Sequence, residues 1–145
     1  MAEAAARGAS DPDVTTRLVH AAEANADDLL AADGTIFASP ENLAALAGVM
    51  KDFFDRAYYP ALDRINGRPY ATMICAGSDG ANAVRQIERI ATGWRLKRIA
   101  PPLIIRTNAQ TPETILARKT IAADDLRRCA DLGATFAAGL AAGVF

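Results

Sequence analysis

The stretch DGTIFASPENLAALAGVMKDFFDR, residues 33–56, decides the fold that this sequence predicts. Residues 34–38 form a short, apolar, partly β-branched run of the right length for a buried strand. Ser39, Pro40 and Glu41 then supply a capping hydroxyl, a proline for the first turn and an acid, three signals that start a helix. Apolar residues recur at helical spacing to the end of the stretch. We therefore expect a strand, a polar turn and a long amphipathic helix.

A second unit of the same kind follows. Tyr70–Ala76 (YATMICA) is a continuous apolar run, as expected for a parallel strand covered on both faces. The turn Gly77–Gly80 follows it, and a further amphipathic helix begins after that turn. In an open α/β sheet, ligands bind beyond the carboxyl ends of such strands. Both turns are therefore candidate ligand loops.

The flanking segments extend the alternation of strands and helices. Ala2–Arg7 reads as a helix with Gly8 as its C-cap, and Val14–His20 (VTTRLVH) as an edge strand. A fourth strand is expected within Leu96–Arg106, and a last helix over residues 123–140. This order predicts an α/β fold, a three-layer α/β/α sandwich with a mostly parallel sheet.

Length and charge limit the classes of function. The 145 residues fit a single domain, residues 1–145, and the net charge of 16 − 17 = −1 provides no basic field for nucleic acid or anionic lipid. No apolar run is long enough to span a membrane, and Cys75 and Cys129 match no metal or redox spacing. His20 is the only histidine, which argues against a histidine-based metal site and leaves little room for a catalytic triad. We expect a cytoplasmic protein whose lone histidine and cysteines are structural.

Three motifs give a resemblance to a known family. DGTIFASPEN (33–42), GVMKDFFDR (48–56) and CAGSDG (75–80) resemble the flavodoxin-like superfamily, closest to its NAD(P)H-dependent FMN oxidoreductases. The resemblance implies a sheet of order 2-1-3-4-5 and an FMN site made by three loops at strand ends. Two of these loops have counterparts here that would contact the flavin ring: Ser39, Pro40, Glu41, Asn42 and Leu43; and Ala76, Gly77, Ser78, Asp79 and Gly80.

The family's first strand and its phosphate-binding loop have no counterpart in the sequence. Two explanations remain open. Either the native protein carries roughly 15–20 residues before Met1, enough for one strand and one loop, or the chain is a degenerate relative that repacks or pairs with another chain. FMN binding is expected on condition that a phosphate loop is present.

The resemblance implies an oxidoreductase that passes electrons from NAD(P)H through FMN to a flat acceptor such as a quinone. The protein then needs no catalytic residue of its own, because the cofactor carries the chemistry. Two alternatives are an electron-transfer flavodoxin without its own substrate, and a flavodoxin-like domain that no longer binds flavin and serves as an interaction module. A homo-oligomer is consistent with the family.

Overall fold

The computed structural model describes residues 1–145. It contains five strands and six helices, and the strand–helix–strand alternation that the sequence predicts holds for the central part of the chain, from β1 through α3, β3 and α4 to β4. Their bounds are α1 Ala2–Gly8, α2 Ala26–Ala31, β1 Thr35–Asn42, β2 Ala45–Leu46, α3 Gly48–Ala61, β3 Pro69–Ala76, α4 Ala81–Gly93, β4 Lys97–Arg98, β5 Leu103–Arg106, α5 Pro112–Leu116 and α6 Ala123–Ala141.

The sheet is built around β3, which is buried along almost its whole length. β1 pairs with one edge of β3 in parallel, from Thr35 opposite Tyr70 to Pro40 opposite Cys75. β4 and β5 both pair with the other edge, also in parallel. The predicted fourth strand is thus two short strands, because the prolines between them cannot donate to a ladder. Only the small hairpin between β1 and β2 is antiparallel.

The two faces of the sheet are covered by different helices. On one face α3 and α4 pack through a large core that includes Phe37, Phe54, Ile74 and Trp94. On the other face α1 and α6 enclose a smaller cluster of five buried residues: Ala4, Ala5, Met73, Ile105 and Cys129. Ile74 and Met73 point to opposite faces, as neighbouring residues in a strand must. The α/β layer class predicted from the sequence is confirmed.

The predicted helix start at Ser39-Pro40-Glu41 is wrong. These residues belong to β1, and α3 begins only at Gly48. Pro40 is tolerated in β1 because no strand pairs with the outer edge of β1 at this position. The Ser39 hydroxyl accepts a hydrogen bond from the amide of Ala47, the residue before α3, at 3.1 Å. No side chain caps the first turn of α3, so the capping role predicted for Ser39 is wrong as well.

The predicted edge strand Val14–His20 is also wrong. Its only β-bridge joins Asp11 and Val14, and most of the segment is exposed. A strand is defined by a hydrogen-bonded partner, and no strand lies within bonding distance of this segment. The β-branched residues favour an extended backbone, but composition alone cannot supply the missing neighbour.

Gly8 has a different role from the predicted C-cap. It lies inside α1, and a Cβ at this position would overlap the Ala130 carbonyl of α6. Gly133 makes the reciprocal contact, because its Cβ would overlap the Ala5 carbonyl. The two glycines let the backbones of α1 and α6 touch. This contact holds the first helix of the chain against the sheet.

Candidate functional site

The two segments predicted as ligand loops meet at the carboxyl edge of the sheet. The parallel register places the end of β1 beside the end of β3, so Glu41 lies close to the turn after Ala76. One oxygen of the Glu41 carboxylate, Oε2, accepts a hydrogen bond from the Gly80 amide at 2.7 Å. This bond joins the two segments directly.

The first segment is a strand end and a hairpin tip, where the sequence predicted a turn into a helix. Ser39 is buried, while Pro40 and Asn42 are exposed. Leu43 stands at the tip with its side chain 102% exposed. Leu43 and Ala44 have φ values of 50° and 60°, the left-handed conformation of a two-residue type I′ turn. Neither residue type favours this conformation, so the hairpin tip is a strained segment.

Side chains of α4 hold this hairpin in place. The Asn82 side-chain amide donates to the Ala44 carbonyl at 2.5 Å, and the Gln86 side-chain oxygen accepts from the Leu46 amide at 2.8 Å. Sequence reasoning missed both residues. Their only signal was the presence of two polar residues in the first two turns of the helix that follows the second loop. The strained tip is therefore fixed by bonds from the neighbouring helix.

The second segment forms the turn predicted from the sequence. Ala76 and Gly80 are buried, Gly77 is half-buried, and Ser78 and Asp79 are exposed. Gly80 precedes α4 with φ of 89°, a conformation that glycine adopts without strain, and a Cβ there would crowd Ile104. The turn thus exposes two polar side chains next to the first turn of a helix.

The end of β5 supports this turn. The Thr107 amide donates to the Ala76 carbonyl at 2.9 Å, and Arg106 Nε donates to the Asp79 carbonyl at 3.1 Å. Arg106 is exposed and forms no ion pair, so its guanidinium retains donors for a ligand. The sequence placed Arg106 at the end of a strand but gave no reason to single it out. Arg106 lies beside the turn because β5 pairs with β3, which places Arg106 opposite Ala76.

A second oxygen of Glu41 is buried without a partner. Oε1 is inaccessible to solvent and accepts no hydrogen bond, whereas Oε2 holds Gly80. An unsatisfied buried acceptor costs about 1–3 kcal/mol. Such a cost at the junction of two loops is typical of a site that accepts a donor from a ligand.

A small cavity of about 330 Å³ adjoins the first segment. It is lined by residues of β1 and β3, including Ser39, Pro40 and Cys75, and by Ile121 and Lys119. Burial raises the pKa of the Cys75 thiol, which keeps the thiol protonated and a poor nucleophile. His20 lies elsewhere, exposed, where its Nδ1 accepts from the Ala22 amide at 3.2 Å. Cys75 is therefore not an activated nucleophile, and the histidine of the chain does not line this cavity.

No three His, Cys, Asp or Glu side chains cluster in a way that would hold a metal ion. No helix has the length and apolar character needed to cross a bilayer.

Comparison with known families gives one match that covers most of the chain. The model of the family described as NADPH-dependent FMN reductase matches residues 2–109, which include both segments of the site. No curated protein matches the chain significantly.

Several solved structures share the fold. A flavodoxin from the domain Archaea superposes with a TM-score of 0.70 at 16% identity, covering 95% of this chain and 86% of its own. A WrbA-like flavodoxin from Agrobacterium tumefaciens gives 0.68 at 16% identity, with 97% and 87% covered. An NADPH-quinone reductase from P. pentosaceus gives 0.54 at 17% identity, with 83% and 77% covered. At these identities the likeness establishes the fold, which is flavodoxin-like as the sequence predicted.

Proposed function

The chain belongs to the NADPH-dependent FMN reductase family and is a flavodoxin-family oxidoreductase, and from this premise we propose that its joined loops bind the flavin ring of FMN. The residues proposed to hold the ring are those predicted from the sequence. They are Ser39, Pro40, Glu41, Asn42 and Leu43 from the end of β1, and Ala76, Gly77, Ser78, Asp79 and Gly80 from the turn after β3. We also propose NAD(P)H as the electron donor.

The donor and acceptor chemistry of the site fits the ring end of FMN. The ring edge carries both carbonyl oxygens and an N–H group, so it needs donors and an acceptor. The turn after β3 offers backbone amides and the Ser78 hydroxyl, and the buried Glu41 Oε1 offers an acceptor that lacks a partner. Gly77 allows the Ala109 carbonyl to lie close to this turn, because a Cβ there would lie 3.2 Å from the Ala109 carbonyl oxygen.

The phosphate end requires positive charge or several amide donors. Arg106 can provide charge beside the turn after β3, since its guanidinium is exposed and hydrogen-bonded only through Nε, to the Asp79 carbonyl. We propose that Arg106 faces a phosphate, either of FMN or of the nicotinamide nucleotide. A single arginine is a weaker phosphate site than a glycine-rich loop, so the affinity of the chain for FMN is expected to be modest.

The chemistry that FMN supplies when bound is acceptance of a hydride from NAD(P)H and release of electrons to a flat acceptor such as a quinone. The protein would position the flavin ring and leave one of its faces accessible to a second reactant. Neither loop contains an aromatic residue that would cover the ring, so one face stays open to a flat partner. Glu41 fixes the spacing of the two loops through the Gly80 amide. These features favour a reductase over an electron carrier.

The observation that carries this proposal is the Glu41–Gly80 hydrogen bond, which makes one site from two loops. The test is a titration of FMN with the protein, in which quenching of the flavin fluorescence measures binding. We expect saturable binding, and we expect Glu41→Ala to weaken it about tenfold, which corresponds to roughly 1.4 kcal/mol. Asp131→Ala removes an exposed carboxylate from α6 and should leave the affinity unchanged. Absence of binding by the wild type, or equal binding by Glu41→Ala, would refute the site.

The role of Arg106 has a separate test. Arg106→Gln removes the charge and should weaken FMN or NADPH binding by about tenfold, with an effect that shrinks as salt is added. Arg118→Gln is the control, because Arg118 is exposed and forms no ion pair or hydrogen bond in the structure. If both variants lost the same affinity, the effect would come from the change in net charge, and the proposed role of Arg106 would be wrong.

Turnover distinguishes a reductase from a carrier. Protein loaded with FMN should oxidise NADPH when a quinone is present. Protein that binds FMN but leaves NADPH untouched would favour an electron-transfer flavodoxin. Protein that ignores FMN would favour an interaction module.

A further inference from the structure

The exposed surface of α4 and β4 is strongly basic, although the net charge of the whole chain is −1. Residues 81–98 contain five Arg or Lys residues and a single acid, Glu88, which gives this segment a net charge of 5 − 1 = +4. The loop that follows α3 adds a further arginine. We use the name arginine face for the surface formed by five exposed side chains: Arg64, Arg85, Arg89, Arg95 and Arg98.

Ion pairs and backbone hydrogen bonds join the parts of the arginine face. The Arg98 guanidinium, on β4, pairs with the Glu88 carboxylate of α4. Arg95 pairs with Asp63, in the loop after α3. The Gly67 amide of the same loop donates to the Arg95 carbonyl at 2.8 Å. These contacts bring the loop after α3, the helix α4 and the strand β4 side by side.

Three of the five arginines have no carboxylate partner. Arg64 and Arg85 donate only to neutral oxygens, at 3.4 and 3.2 Å, and Arg89 forms no hydrogen bond or ion pair. The two carboxylates that touch the arginine face, Asp63 and Glu88, are already paired. The arginine face therefore has a net charge of 5 − 2 = +3, and three of its guanidinium groups keep donors for a partner.

An exposed aromatic side chain borders the arginine face. Tyr59 is 80% exposed, and its ring meets the Tyr58 ring edge-on with centroids 5.5 Å apart. Tyr58 in turn stacks on Trp94, the residue before Arg95. Tyrosine and arginine are the residue types that contribute most of the binding energy in many protein interfaces. An apolar contact is thus available beside the charges.

We propose that the arginine face binds an acidic segment of another protein, through carboxylates that pair with Arg64, Arg85 and Arg89. A guanidinium group can hold a carboxylate with two parallel hydrogen bonds, which an ammonium group cannot do. Arginine is also enriched in protein interfaces, whereas lysine is depleted. The partner is therefore expected to present several Asp or Glu side chains, with an apolar residue for Tyr59.

Two other occupants match the charges less well. A typical DNA-binding protein contacts about six to ten phosphates, whereas the arginine face has three arginines without a partner, and its two carboxylates would repel phosphates. A second copy of this chain that presented the same face would bring like charges together, so a two-fold dimer through the arginine face is disfavoured.

The test uses a synthetic peptide and needs no flavin, so its outcome is independent of the proposed FMN site. The probe is acetyl-EELYEEDLEE-amide labelled with a neutral fluorophore. Its matched control is acetyl-QQLYQQNLQQ-amide, which has the same shape without the charges. By fluorescence anisotropy we expect saturable binding of the acidic peptide, at least tenfold weaker binding of the uncharged peptide, and loss of affinity as salt is added.

Paired protein variants locate the binding. Arg85→Gln combined with Arg89→Gln removes two charges from α4 and should weaken binding of the acidic peptide about fivefold, the effect of two exposed ion pairs. Arg127→Gln combined with Arg128→Gln removes the same charge from the exposed face of α6 and should leave the affinity unchanged.

Chemical protection gives a readout that does not depend on the variants. Phenylglyoxal reacts with exposed guanidinium groups, and mass spectrometry measures the extent of reaction at each arginine. Bound acidic peptide should slow the reaction of Arg64, Arg85 and Arg89 at least threefold. Arg118, which is exposed and lies outside the arginine face, should react at the same rate with and without the peptide.

Four results would overturn the proposal. They are absence of saturable binding by the acidic peptide, equal affinity for the uncharged peptide, and equal losses in the α4 and α6 variants, which would show a response to net charge alone. The fourth is tighter binding of a short labelled oligothymidine than of the acidic peptide, which would identify the arginine face as a nucleic-acid surface.

Discussion

Replacing Gly133 with alanine tests the close contact between the backbones of α1 and α6. The added Cβ would overlap the Ala5 carbonyl oxygen, a backbone atom that can move only if the whole of α1 moves. Overpacking of this kind costs about 1–3 kcal/mol. Alanine is a better helix former than glycine by about 1 kcal/mol, which offsets part of the loss. We expect Gly133→Ala to lower the free energy of unfolding by up to about 2 kcal/mol.

Gly139 provides the matched control on the same helix. A Cβ at Gly139 would meet the ring of Phe145, a side chain two residues beyond Gly143 at the end of the chain, which can swing away. Gly139→Ala should therefore gain most of the helix propensity, about 0.5–1 kcal/mol. Urea unfolding at 25 °C measures both variants against the wild type. The two variants should differ by about 0.5–3 kcal/mol, with Gly133→Ala the less stable, and equal stabilities would refute the contact between the two helix backbones.

Three further predictions concern buried polar groups. Thr72→Val should raise the stability by about 1 kcal/mol in the same urea assay, because the Thr72 hydroxyl is buried without a partner, whereas Thr72→Ser should bring no such gain. Arg68→Met should cost about 2 kcal/mol and speed amide exchange in α2, because Arg68 Nη1 donates to the carbonyls of Leu29, Leu30 and Ala32 at 2.9, 2.9 and 2.6 Å. Burial raises the pKa of the Cys129 thiol, so the stability it contributes is present below about pH 8.5 and is lost as the pH rises through the folded-state pKa. Cys129→Ala should accordingly show a flatter decline of stability between pH 8 and pH 10, and parallel curves for the two proteins would count against this assignment.

The sequence predicted those elements whose signals are local and strong. The apolar run Tyr70–Ala76 was recognised as a central strand because hydrophobicity on both faces requires cover on both faces. Asn25 and Thr111 accept hydrogen bonds from the first turns of α2 and α5, so both short helices begin at residues of a capping type. The amphipathic helix expected after Gly80 is α4, and its apolar face is buried. In each case the residues that determine the element lie within it.

The misassignments involve residues whose partners are distant in sequence. Ser39-Pro40-Glu41 has every local mark of a helix start, but pairing with β3 keeps it in a strand and delays the helix to Gly48. α3 continues through Pro60 to Ala61, beyond the end of the predicted stretch at residue 56, and Tyr58 stacks on Trp94 with ring centroids 5.6 Å apart. Such long-range contacts override local propensity. The sequence pattern indicated both loops of the candidate site. The Glu41–Gly80 hydrogen bond and the position of Arg106 could not be predicted, because they depend on the register of the sheet.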